Sequence, residues 1–287
     1  MIRIVRDRTA VPAAFQSTGR VKKEQTLLEA KRDHLQRQQT DPEAAHGFKS
    51  SWWKAAKDQL RKEARGKCAY CEARADAVAH CDVEHFRPKD TWWWLTCCWD
   101  NYLFACQICN QEYKSNHFPS AKSIPPVSLK HNTTDPALAA MSGKLAPDPV
   151  VPAEITAWLK VLAKEKADII DPCLTDPEEF FAWEVDDDAG EITLVARTTT
   201  PKVKRIVKAC VDIFGLNREE LRQLRYETFE ALDIARKALE SPGLPEARRT
   251  KILRRLTRYA SSARAFTGMS RYFLIDVWKL LPPAARV

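Results

Sequence analysis

The chain reads as an α+β protein, predominantly helical, on three observations. Charged or amphipathic stretches with helical spacing fill most of its length. One pair of short alternating segments, Phe181 to Val185 and Glu191 to Val195, flanks Asp186-Asp187-Asp188-Ala189-Gly190 in the pattern of a β-hairpin. Between the helical ends, Cys68-Ala69-Tyr70-Cys71 and Cys106-Gln107-Ile108-Cys109 bracket Val83-Glu84-His85-Phe86-Arg87-Pro88.

Taken in order, residues 1–60 form a helical N-terminal arm. Its charged helix runs from about Val21 to Gln39, and Asp41-Pro42 starts the next one, with Asp41 as N-cap and Pro42 in the first turn. Trp52, Ala55, Ala56, Gln59 and Leu60 then recur at helical spacing as a core-facing stripe. Residues 61–120 hold the cysteine constellation. Residues 121–175 begin with a proline-rich surface connection containing one short helix, then a helix from about Ala153 to Asp168. Residues 176–287 hold the hairpin and a helical C-terminal region. There, Lys202–Phe214 is closed by Gly215, and Asn217 caps a helix that runs to Leu239. A third helix, from about Pro245 to Phe266, carries Arg248, Arg249, Lys251, Arg254, Arg255, Arg258 and Arg264, as a solvated face or a phosphate-contacting one. The three aspartates of the hairpin read as a solvated turn, because no further ligand spacing supports a metal site there.

The 287 residues allow one large domain or two small ones, and a hydrophobic share of 45% is enough to bury a core. No apolar run of about 18 residues suggests a membrane span. The segment Met1 to Arg8 lacks the apolar stretch of a secretory signal, so a cytoplasmic location is the default. In that setting, two CxxC pairs read as metal ligands in preference to disulfides. Cys81, Cys97, Cys98, Cys173 and Cys210 read as reduced thiols packed like small hydrophobes. The net charge of +8 and pI of about 9.0 suit a polyanionic partner.

Two thiolate pairs can complete one tetrahedral Zn–S4 site. The 34 residues between Cys71 and Cys106 exceed the usual ribbon spacing, which fits a functional insertion held between two knuckles. The alternative is two coincidental pairs packed as core. Glu84-His85 is the chemical centre of that insertion. A histidine titrates near neutrality and can activate water, while a carboxylate can bind a hard cation. Neighbouring strand residues point to opposite sides, so a bend or loop is expected where both share a site. Asn110 is expected at the start of a helix after the second knuckle, with Lys114 one turn later and His117 a turn beyond. Trp92-Trp93-Trp94 and Trp99 either stack on bases or wall the knuckles, with at least one left exposed.

These motifs resemble HNH endonucleases of the zinc-stapled ββα-metal type. They are more similar still to the HNH nuclease component of Septu-type anti-phage systems and of retron-associated effectors. The resemblance is carried by Gly66 to Glu72, Asp82 to Lys89, Trp93 to Leu95, Trp99 to Leu103, Cys106 to Asn110, Lys114 and Phe118-Pro119. Met1 to Ile4, Ile170 to Cys173, Asp176-Pro177 and Gly215 to Arg218 extend it. It implies a ββα-metal (HNH) module embedded in helical N- and C-terminal regions. It further implies His85 as general base and Glu84, where aspartate is usual, as ligand of a catalytic Mg²⁺ or Mn²⁺. Asn101 would hold the hairpin turn and orient His85 by hydrogen bonding. Asn110, where many relatives carry histidine, would be the second ligand, with His117 as the alternative; Asp82 and His80 are lesser substitutes for Glu84. Lys114 would touch the phosphate. The implied partners are DNA, an ABC/SMC-like ATPase and, in the retron setting, a reverse transcriptase–DNA complex. No GK[ST] nucleotide loop occurs in this chain, so that ATPase is a separate polypeptide. The competing expectation is a zinc-stabilised nucleic-acid-binding or interaction subunit without catalysis.

Overall fold

The computed structural model describes residues 1–74 and 81–286, so His80 lies outside the described residues. The architecture is α+β, with two separate two-stranded antiparallel sheets set among helices. No helix among the described residues is long and apolar enough to cross a membrane.

Helix α1, Ser17–Arg37, confirms the charged N-terminal helix. Leu27 and Leu28 are buried on one face against Trp92, Trp93 and Trp94. On the same helix Arg20 and Glu24 pair at 3.1 Å and reach into the proline-rich connection. There Glu24 accepts from the Gly143 and Leu145 amides, and Arg20 donates to the Gly143 and Ala146 carbonyls. The short helix expected in that connection is α3, Asp135–Met141.

Asp41 does not cap a helix. Its carboxylate accepts from the Glu43 amide in a local turn, and the chain runs irregularly to residue 49. Two 3₁₀ turns, Ser50–Trp52 and Lys54–Ala56, then lead into α2, Lys57–Glu63. The turn side chain competes with helix initiation for the same backbone donors. The irregular segment is held by ring stacking: His46 lies 4.2 Å from His34 of α1 and 3.9 Å from Phe48.

Strands β1, Cys81–His85, and β2, Tyr102–Cys106, form the first sheet, with Glu84 opposite Leu103 and His85 opposite Tyr102. Strands β3, Phe181–Asp186, and β4, Glu191–Ala196, form the hairpin read from the alternating pattern. Its turn aspartates serve as local acceptors: Asp186 takes the Ala189 amide and Asp187 the Tyr226 hydroxyl. Between the sheets, α4 spans Pro152–Leu162 and stops before the expected Asp168. Beyond it Glu165 is fully engaged with Arg87.

Helices α5, Pro201–Phe214, and α6, Glu219–Leu239, follow the expected limits. Gly215 closes α5 in the left-handed region at φ +60°, and a Cβ there would sit 2.6 Å from the Tyr113 ring. Asn217 does not cap α6. Its amide instead brackets β4, accepting from Leu194 N–H and donating to Leu194 O, both at 2.9 Å. Helix α7, Glu246–Ala260, is shorter than read, and the chain continues through α8, Thr267–Arg271, into a π-helical turn, Tyr272–Val277.

Among the described residues, three apolar clusters organise the interior. The first joins the N-terminal residues, the cysteines, both sheets and α5; the second holds α1 and the tryptophans; the third holds α6, α7 and the C-terminal turn. No tryptophan of the expected wall stays exposed. Trp92, Trp93 and Trp94 are 5–6% exposed and Trp99 is 1%. A tryptophan offers more apolar area than any other side chain, and α1 supplies the facing surface.

Candidate active site

The first cysteine pair sits in a tight knuckle. Cys68 N–H donates to Ala73 O, Glu72 N–H donates to Cys68 O, and Ala69 N–H donates to Phe104 O, tying the loop to β2. Cys106 ends β2, and Cys109 lies in the π-helical segment Ile108–Lys114 that follows. All four sulfurs are buried and lie within 4.8 Å of one another. Cys71 and Cys106 Sγ are 4.0 Å apart. A tetrahedral ion with Zn–S bonds of about 2.3 Å separates its sulfurs by about 3.8 Å, so the group fits one zinc. No disulfide joins cysteines among the described residues. Hydrogen bonds from neighbouring thiols hold Cys71 well below the usual thiol range.

Four thiolates on one Zn²⁺ carry net negative charge, and two arginines face it. Arg218 Nη1 lies 3.6 Å from Cys109 Sγ. Arg225 is buried with Cys71 and Glu72 as its electrostatic neighbours, and burial pulls it down to about 10. Arg218 comes from the corner between α5 and α6 and Arg225 from within α6, each more than a hundred residues from the nearer cysteine. No spacing in the sequence announced them.

The strand beside this centre carries Glu84 and His85. Glu84 and His85 take opposite faces of β1. On one face Glu84 Oε1 lies 2.7 Å from Lys114 Nζ and accepts from Tyr70 OH at 3.2 Å. Burial pushes its carboxyl above the usual range, against the pull of Lys114. On the other face the His85 ring packs edge-on against Trp53 and Tyr102, at 4.8 and 5.1 Å. Its Nε2 is 3.1 Å from Thr96 O. A carbonyl can only accept, so Nε2 carries the hydrogen and Nδ1 is left as the proton acceptor. Burial lowers the His85 pKa to about 3, which keeps the ring neutral at pH 7.

No bend within β1 separates the two residues; the ladder is continuous through His85. Both nevertheless line one cleft of ≈ 580 Å³, and His85 is the last paired residue of the strand. Asp82, Asn110, Lys54, Lys57 and Lys89 also line this cleft. Asn110 is half-buried there, and its side chain has no hydrogen-bond partner among the described residues. His117 is exposed and outside the lining. Asp82 accepts from Gln111 at 2.7 Å.

Asn101 clamps the loop after β1, accepting from Arg87 N–H at 2.9 Å and donating to Arg87 O at 3.0 Å. It thus holds the turn, but the partner that fixes the His85 ring is Thr96 O and not Asn101, because both amide groups of Asn101 are spent on Arg87. The same loop is strapped to the segment after α4 by the bidentate Arg87–Glu165 pair, at 2.5 to 3.1 Å.

The helix expected after the second knuckle is a π-helical turn. Cys109 and Lys114 are both fully buried, five residues apart. With i→i+5 hydrogen bonding five residues make about one turn, which brings both inward. In an α-helix of about 3.6 residues per turn they would lie about 140° apart. Lys114 is therefore inside the protein, bridging the Glu84 carboxylate and the His85 carbonyl, the latter at 3.1 Å.

Sequence reasoning missed Tyr70, Thr96 and Trp53, which reach the site from separate loops. The cleft lysines had a signal: Lys54 and Lys57 are three apart at the start of a helical stripe.

These features define an α+β protein with a buried four-cysteine centre beside a strand that presents a carboxylate and a neutral histidine to one cleft. No protein-family model matches the chain. It is similar to Septu protein PtuB of Bacillus mycoides (strain KBAB4), 25% identical over 193 residues, which cover 63% of this chain and 52% of that protein. Septu protein PtuB of Bacillus thuringiensis is 44% identical over 52 residues, 18% of this chain and 20% of the relative. The chain thus spans about half the length of the first relative and a fifth of the second.

Proposed function

We propose that this chain is a metal-dependent HNH-type endonuclease that cleaves DNA phosphodiester bonds, acting as an effector of Septu-type anti-phage defence under the control of an ABC/SMC-like ATPase. The observation that carries the reading is the junction of a zinc-fitting cysteine group with a neutral, carbonyl-held His85 in a lysine-rimmed cleft. The similarity to the Septu proteins supports the defence setting.

His85 Nδ1 accepts a proton from the attacking water. The Thr96 carbonyl holds the ring in that tautomer and stabilises the imidazolium that forms. Lys54, Lys57 and Lys89 attract the phosphate backbone. Glu84, through the carboxylate oxygen not shared with Lys114, and the Asn110 amide are the oxygen donors suited to Mg²⁺ or Mn²⁺. Such a cation, when bound, draws charge from the phosphate and the leaving oxygen. Lys114 positions Glu84. Zinc at the cysteines supplies rigidity and takes no part in the reaction.

A plasmid-cleavage assay with Mg²⁺, Mn²⁺ and EDTA tests this, with His85→Ala alongside. Cutting that needs the divalent ion and vanishes in His85→Ala is the expected result. Unchanged cutting by that variant overturns the mechanism. Wild type that is silent alone and cuts when the ATPase is added supports control by the partner. A second reading, a nucleic-acid-binding or interaction subunit without catalysis, is favoured by one observation: Glu84 is already ion-paired with Lys114. It predicts DNA binding that is salt-sensitive, indifferent to Mg²⁺ and never followed by a nick.

A further inference from the structure

Helix α7 carries a second concentration of positive charge that the cleft does not use. Arg248, Lys251, Arg254, Arg255 and Arg258 are all exposed. At about 100° per residue they fall within an arc of about 120°, facing away from the side that buries Leu256 and Ala260. The helix has no acidic residue after Glu246, and none of the five has an ion-pair partner among the described residues.

The neighbouring helix α6 behaves differently: its five acidic side chains offset its four cations, and Arg236 and Lys237 both reach Asp233 at 2.7 Å. On α7, Lys251 and Arg255, and Arg254 and Arg258, are like charges four residues apart, an arrangement that destabilises an isolated helix. A polyanion laid along this face removes that repulsion. From Arg248 to Arg258 the face runs about 15 Å, long enough to meet several phosphates of a duplex strand spaced about 3.4 Å per nucleotide along its axis. Four of the five are arginines, whose planar fork suits phosphate oxygens.

We propose that α7 is a nucleic-acid backbone-binding face, holding DNA at a place separate from the cleft. This rests on the reading of DNA as the substrate. The face has only cations to offer, so it binds by charge and does not select sequence. It packs in the third apolar cluster, whereas the cleft is built on β1 and the π-helical segment beside the first.

The test uses the full chain and a fluorescein-labelled duplex, with binding read by anisotropy in EDTA so that cutting plays no part. Lys251→Gln/Arg255→Gln/Arg258→Gln is compared with a charge-matched control, Lys202→Gln/Lys204→Gln/Lys208→Gln, after both are shown to melt like wild type. Glutamine keeps the helix-forming tendency. The α7 triple is expected to bind about tenfold more weakly or worse and to lose between two and three units of the log K against log [salt] slope, roughly 0.9 per phosphate contact. Equal behaviour of the two triples overturns the proposal and leaves the face to an acidic protein. Loss of cutting in His85→Ala, or no cutting at all, bears on the cleft alone and leaves this binding measurement unaffected.

Discussion

Lys114 has no exposed surface, and among the carboxylates of the described residues its ammonium is matched by Glu84 alone. Removing one member of such a pair strands the other charge away from water. Lys114→Met is expected to lower stability by about 3 kcal/mol or more in a denaturant melt, and adding Glu84→Gln should return most of that loss. Arg218 poses a different question, because its partner is a sulfur that zinc would claim. Arg218→Ala is expected to weaken zinc by about tenfold or more in a chelator competition, with Arg218→Lys in between. Unchanged zinc affinity in Arg218→Ala would remove the arginine from the metal's surroundings. Neither partner could be read locally: Lys114 needs the π-helical turn to reach Glu84, and Arg218 arrives from the corner between α5 and α6. Cys68, Cys71, Cys106 and Cys109 were legible, since a CxxC pair declares its chemistry within four residues.

The segment between α1 and the first 3₁₀ turn is held by the His34–His46–Phe48 stack. Burial, with Lys31 and His34 nearby, pushes His46 down to about 3, and Asp90 pulls weakly the other way. His34 is lowered as well, chiefly by burial. The folded segment therefore binds fewer protons than the unfolded chain, whose histidines titrate near 6.5. This contribution to stability is full above about pH 6.5 and is lost as pH falls toward 3. The melting temperature should drop between pH 7 and pH 5, and His46→Phe should reduce that drop; an unaltered slope would discard the stack as its source. Asn217 makes the corresponding tie for the second sheet. Asn217→Ala removes both bonds to Leu194 and should cost about 1–3 kcal/mol. Helices α5 and α6 were legible from periodicity and Gly215, while the duty of Asn217 was not. A cap and a clamp use the same amide, and only the position of β4 decides between them.

The first apolar cluster draws Met1, Phe15, Cys68, Phe104, Phe181, Leu194 and Phe273 into one interior, so it contains residues from both ends of the chain and both sheets. Zinc at the cysteines would brace all of these together. Stripping it with a chelator should raise amide exchange in β3 and β4 as well as in β1 and β2. Exchange confined to the knuckles would mean that the sheets are braced independently. The β3–β4 hairpin could be read from alternation, whereas the β1–β2 sheet was implied only by the resemblance of the motifs around it. The division of the interior into three clusters could not, because it depends on which helix covers the tryptophans.

The π-helical turn acts as a gauge of chain length. One residue more than an α-helical turn would hold separates the Cys109 sulfur from the cation beneath Glu84. Inserting one residue beside Gln111 would make the separation six, about 120° around an ordinary α-helix, leaving Cys109 on its sulfur neighbours while swinging the lysine out toward water. The four-cysteine group would survive and the carboxylate beside it would lose its counter-charge. A single codon therefore joins the scaffold to the cleft, and an insertion between Cys109 and Lys114 should be tolerated far less well than substitutions at the exposed Gln111 and Glu112.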